Sequence, residues 1–73
     1  MARLPRVTAK QIIAVLKQRG FVLSRQSGSH MIFKKDIKRV TVSFHGSITL
    51  HPKVLKSILR DADINPKEFE DIL

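Results

Sequence analysis

Cysteine is absent from this chain of 73 residues, which removes both a disulfide framework and a thiolate metal site as means of reinforcing the fold. That absence fits a reducing compartment. Long apolar runs are missing too. The longest, Ile12 to Leu16, falls far short of the roughly 20 residues a membrane-spanning helix needs. Nor does Met1 to Arg6 lead into an apolar stretch of the kind a secretory leader has. A soluble, cytoplasmic protein with no membrane partner is expected. Internal repeats, linkers and low-complexity tracts are also lacking, so residues 1–73 read as one domain. A domain of this size buries only about 60% of its unfolded surface, so its stability is modest and a bound partner adds to it.

Acids are scarce through most of the chain. Residues 1–60 hold 13 Lys and Arg against one acid, Asp36, while residues 61–73 hold Asp61, Asp63, Glu68, Glu70 and Asp71 against Lys67. The body is therefore +12 and the tail −4, which together give the formal charge of +8. Such a field concentrates nucleic acid around the body, and binding of this kind weakens steeply with salt as counterions are released. A surface that is charged only for solubility mixes the two signs; here they are segregated. The same scarcity leaves no carboxylate cluster for two-metal phosphodiester hydrolysis. His45 and His51 have no acidic or cysteine companion close by in sequence, so a metal site is poorly supported. Neither a metal nor another cofactor is expected.

What is present orders itself as α-β-β-β-α with a short C-terminal helix. Thr8 followed by Gln11 is a capping-box pattern, Ala9, Ile12, Ile13 and Leu16 recur at helical spacing, and Gly20 stops the helix, predicted over about residues 8–19. Phe21 to Arg25 reads as a strand with Phe21 and Leu23 pointing inward, and Gln26 to Ser29 has turn composition. A second strand, His30 to Lys35, alternates Met31 and Phe33 on its core face with His30, Ile32 and Lys34 on the other. Lys34 to Arg39 makes a charged hairpin. In the third strand Val40, Val42 and Phe44 alternate with Thr41, Ser43 and His45, and a loop runs from His45 to Leu50. Pro52 suits the first turn of a helix whose apolar stripe is Val54, Leu55, Ile58, Leu59 and Ala62, with Lys53, Lys56 and Arg60 off the stripe. Asn65-Pro66 restarts a helix from which Phe69, Ile72 and Leu73 dock back. The expected class is α+β, a three-stranded antiparallel sheet with helices on one face and the other face free to meet a ligand.

His30 follows two small residues at the mouth of the second strand. Imidazole takes and returns a proton near neutral pH, the least that phosphodiester cleavage without a metal requires. On pattern alone, His30 reads equally well as a strand-edge residue that hydrogen-bonds a neighbour. Gly28 and Ser29 form a tight turn that would also let a phosphate or ribose approach the backbone, with the Ser29 hydroxyl offered to it. Lys34, Lys35, Lys38 and Arg39 suit a solvated hairpin or contacts to an RNA backbone, Lys34 above all because it shares the histidine's face. His45 is a possible helper and His51 a surface residue.

The Gly-Ser-His-x-x-Phe signature at Gly28–Phe33, with Gly20-Phe21, Val42 with Phe44-His45, and Leu55-Lys56-Ser57-Ile58-Leu59-Arg60 leading to Phe69, resembles the HicA family of toxins. The family implies a double-stranded-RNA-binding-domain-like fold, mRNA cleavage by an endoribonuclease, His30 as catalytic histidine, and a HicB-type antitoxin as partner. Gly28, Ser29, Lys34, Lys35, Arg39 and His45 are the candidate RNA contacts. Three positions depart from the family pattern: Ser43 stands where proline is common, Pro52-Lys53-Val54 where the second helix commonly begins near a glycine, and Asp63 where a glycine follows the alanine. In the mechanism these residues allow, His30 is the general base, Lys34 or another cation stabilises the phosphate, and His45 is the only candidate acid. The rival readings are a non-catalytic RNA-binding module on the same sheet and basic face, and a protein whose free sheet face and acidic tail are covered by another chain.

Overall fold

A computed structural model of the chain describes residues 6–44 and 49–72; the expected docking of Leu73 and the placement of His45 lie outside the described residues. Thr8 opens α1 (Ala9–Gln18) with the expected capping box: its Oγ1 accepts from the Gln11 amide at 3.2 Å, and Gln11 Oε1 accepts from the Thr8 amide at 2.8 Å. Two amides left without helical partners are thereby satisfied. At the other end Gly20 takes φ +93°, its amide donates to the Lys17 carbonyl at 3.0 Å, and the Phe21 amide donates to the Leu16 carbonyl at 2.9 Å. These paired bonds form a Schellman cap.

Three antiparallel strands follow, β1 (Val22–Ser27), β2 (His30–Lys35) and β3 (Lys38–Ser43), with β2 in the middle. Both connections are two-residue turns, since Ser27 pairs with His30 and Lys35 with Lys38. Gly28, the first residue of its turn, has φ +58°, and Asp36 holds the corresponding place at φ +54°. A positive φ at the first central position is the pattern of a type II′ turn, whose twist matches that of the flanking strands.

Helix α2 (Pro52–Asp61) is capped by His51, whose Nδ1 accepts from the Lys53 amide at 3.1 Å. It ends as α1 does, with the Asp63 amide donating to the Arg60 carbonyl at 3.1 Å and the Ile64 amide to the Leu59 carbonyl at 2.8 Å. Asn65 Oδ1 then accepts from the Lys67 amide at 2.9 Å and starts α3 (Pro66–Ile72). Helices α1 and α2 pack over β3. The core between them and the sheet is made of Ile12 and Leu16 from α1, Phe33, Val40 and Val42 from the sheet, Leu55 and Leu59 from α2, and Phe69 from α3. Among the described residues no helix is long and apolar enough to cross a membrane.

The first strand differs from expectation. It begins at Val22 and runs on to Ser27, while Phe21 lies just before it, 3% exposed, as part of the α1 cap. Leu23 shares the face of Phe33, its partner, yet is 44% exposed. The cause is layer width: the helices cover β3 and leave β1, on the opposite edge, uncovered. Phe44 and Val54 are likewise exposed rather than buried. Phe44 lies one residue past β3, where its amide donates to the Ser29 carbonyl at 2.7 Å, and Val54 sits in the first turn of α2 beyond the edge of the core.

Candidate nucleic-acid interface on the open sheet face

Residues directly opposite one another in an antiparallel pair project from the same face, so the register defines what the uncovered face of the sheet displays. Down its centre run His30, Ile32 and Lys34. Ser27 and Ser43 flank His30, Arg25 and Thr41 flank Ile32, and Val22 and Arg39 flank Lys34. The face therefore presents one imidazole, three cations and a row of hydroxyls, with no carboxylate among them. Turn and strand end are held together beside His30 by the Phe44 amide on the Ser29 carbonyl and by Gln26 Nε2 donating to the Gly28 carbonyl at 3.3 Å. A side chain added at Gly28 would meet nothing within 4 Å, so the backbone at the turn is open to an incoming group. His30 is exposed, as are Arg25, Lys34 and Arg39.

The acids of the chain lie elsewhere. Asp63 pairs with Lys38 at 3.5 Å, Glu68 with Arg19, and Asp61 approaches Arg60 at 3.9 Å. Among the described residues no ion pair engages Arg25, Lys34 or Arg39. Arg19 and the Asn65 amide together hold the Glu68 carboxyl below its ordinary pKa. No three His, Asp or Glu side chains among the described residues come together as a metal site would require.

Of the residues singled out from sequence, Gly28, Ser29, His30, Lys34 and Arg39 are gathered at this face or its turn. Lys35 is not. It projects from the helix side, where its Nζ donates to the Arg19 carbonyl at 2.6 Å and its stem lies against Gly20, a cation at the negative end of the α1 dipole. His45 lies outside the described residues. His51 is exposed, as expected, and also caps α2. Arg25 was not singled out from sequence, because simple alternation from Leu23 turns it to the opposite face; the irregularity in register between Leu23 and Arg25 leaves no mark in the residue pattern. A second basic surface lies on α2, where Lys53, Lys56 and Arg60 surround a shallow cavity of about 460 Å³ floored by Leu59, Ile64 and Pro66.

No curated protein matches the chain. Residues 9–64 match the family described as HicA toxin of bacterial toxin-antitoxin, a span that takes in α1, the whole sheet with the open face, and α2 to the end of its cap. With most of its length matched, the chain belongs to the HicA toxin family, the toxin component of a toxin–antitoxin system whose partner is an antitoxin.

Proposed function

We propose that this toxin is a histidine-dependent endoribonuclease that cleaves mRNA in the cytoplasm without a metal and is silenced by a HicB-type antitoxin laid over the open sheet face. One observation supports the reading above all others: an exposed His30 at the turn end of the central strand, on a face that displays cations and hydroxyls and no acid. RNA brings its own nucleophile. In the proposed step His30 removes the proton of a ribose 2′-hydroxyl, the 2′ oxygen bonds to the adjacent phosphorus, and the bond from phosphorus to the 5′ oxygen breaks. A second group or water protonates that leaving oxygen, and His45 is the candidate by its position in the sequence. The products are a 2′,3′-cyclic phosphate and a 5′-hydroxyl. Gly28 and Ser29 admit the backbone of the substrate, and Lys34 and Arg39 hold its phosphates.

The test is cleavage of a labelled RNA in chelator by the parent protein and by His30→Ala. The parent is expected to yield fragments ending in a 2′,3′-cyclic phosphate, His30→Ala to be slower by about 100-fold or more, and DNA, which lacks the 2′-hydroxyl, to survive. Intact RNA from the folded parent, or equal cleavage by His30→Ala, overturns the reading.

A further inference from the structure

Pairing between β1 and β2 starts with Val22 opposite Lys34 and Leu23 opposite Phe33, then resumes with Arg25 opposite Ile32, Gln26 opposite Met31 and Ser27 opposite His30. Ser24 is the additional residue. Had pairing continued in the first register, Ser24 would oppose Ile32, Arg25 would face Met31 on the helix side and Gln26 would flank His30. A shift of one residue exchanges the two faces of a strand, and bulges re-aim side chains in this way. The irregularity therefore brings Arg25 and Ser27 to the histidine's face and sends Gln26 away from it.

Distance separates the three cations of that face. Strands rise about 3.3 Å per residue, so Lys34, four residues along β2 from His30, stands about 13 Å away, and Arg39, paired with Lys34, is no closer. Arg25 is the diagonal neighbour of His30, which places the two residues about 7–8 Å apart. Among the strand residues it is the cation nearest the imidazole. Its planar guanidinium presents two N–H groups to two phosphate oxygens at once, which a lysine ammonium cannot do.

We infer that Arg25 is a catalytic residue that grips the scissile phosphate beside His30. Its fork neutralises charge on the non-bridging oxygens as the bond to the 2′ oxygen forms and the bond to the 5′ oxygen breaks. The assignment rests on the ribonuclease reading above, and it goes further in naming a residue whose place is set by the strand irregularity. Lys34 and Arg39 then serve the neighbouring phosphates.

An exchange of neighbours tests it. Arg25→Gln combined with Gln26→Arg leaves composition and net charge unchanged and moves the cation to the other face of the sheet, at a strand whose residues are all exposed. Single-turnover cleavage of a labelled RNA is expected to fall by about 100-fold, the loss typical when one transition-state donor is removed. RNA affinity at fixed salt should change only a few-fold. Arg25→Lys should fall between parent and exchange, since it keeps the charge and loses the fork. Cleavage by the exchange variant at the parent's rate overturns the inference. If circular dichroism shows that the exchange variant does not fold, Arg25→Ala decides in the same way: parental rate overturns, a loss confined to the rate supports. A folded parent that leaves RNA intact overturns the ribonuclease reading and this inference with it, and it does so before any Arg25 variant is compared.

Discussion

Asp63 is an L-residue held at φ +59° just past the cap of α2, a conformation that glycine adopts freely and other residues only at a cost of about 1 kcal/mol or more. The Schellman geometry at the end of α2 is one that glycine at this place fits without strain. In return Asp63 gains an ion pair with Lys38 at 3.5 Å, but its side chain is 81% exposed, and exposed pairs contribute at most about 1 kcal/mol. Asp63→Gly is therefore expected to raise stability by about 0.5–1 kcal/mol, and Asp63→Ala to lower it by at most about 0.5 kcal/mol, because alanine keeps the backbone cost and loses only an exposed pair. Urea unfolding checks both through the midpoint at an unchanged slope. A glycine variant weaker than the parent would mean that Lys38 outweighs the backbone.

Helix α3 has only seven residues, too few to persist in water on its own, so its place depends on tertiary anchors. Phe69 is fully buried, and Glu68 pairs with Arg19 at the end of α1 while accepting from the Asn65 amide at 3.4 Å. These contacts set the Glu68 pKa below the ordinary 4.5. A carboxyl whose pKa is lower in the folded state contributes stability that is fully present above its ordinary value and is lost as pH falls through the folded value. The protection factors of the α3 amides, taken against the intrinsic exchange rate at each pH, are therefore expected to fall as the solution is acidified below 4.5, and to do so less steeply in Glu68→Gln. Equal pH slopes in the two proteins would show that the pair does not hold the helix. The caps of α1 and the start of α3, like the two hairpins, were legible in sequence, because Thr8-Gln11, Gly20, Gly28 and Asn65-Pro66 act through local geometry; the capping of α2 by His51 was not. The common face of His30, Ile32 and Lys34 followed from alternation alone. The exposure of Leu23 and the face of Arg25 were not legible for a different reason: which strand the helices leave uncovered, and where a strand takes in an extra residue, depend on contacts between elements far apart in the chain.

Across the whole molecule the positive charge is not spread evenly, and neighbouring lysines separate two explanations of RNA binding. Lys34 projects from the open face and Lys35 from the helix side, where its ammonium is engaged with the Arg19 carbonyl at 2.6 Å. Removing either changes the net charge by the same amount. If RNA answers only to net charge, Lys34→Ala and Lys35→Ala must have the same effect. If RNA lies on the open face, only the first removes a phosphate contact, and each such contact contributes about 0.7 to the slope of log K against log salt for a single strand. Lys34→Ala is accordingly expected to flatten that slope by about 0.7. Lys35→Ala should leave the slope unchanged and lower stability by roughly 0.3–1 kcal/mol, the worth of a cation at a helix C-terminus. Fluorescence anisotropy of a labelled RNA across a salt series, read beside urea unfolding of the same variants, measures both quantities. Equal slopes for the two variants would move the RNA off the open face, because one ammonium on each side of the sheet would then serve it equally.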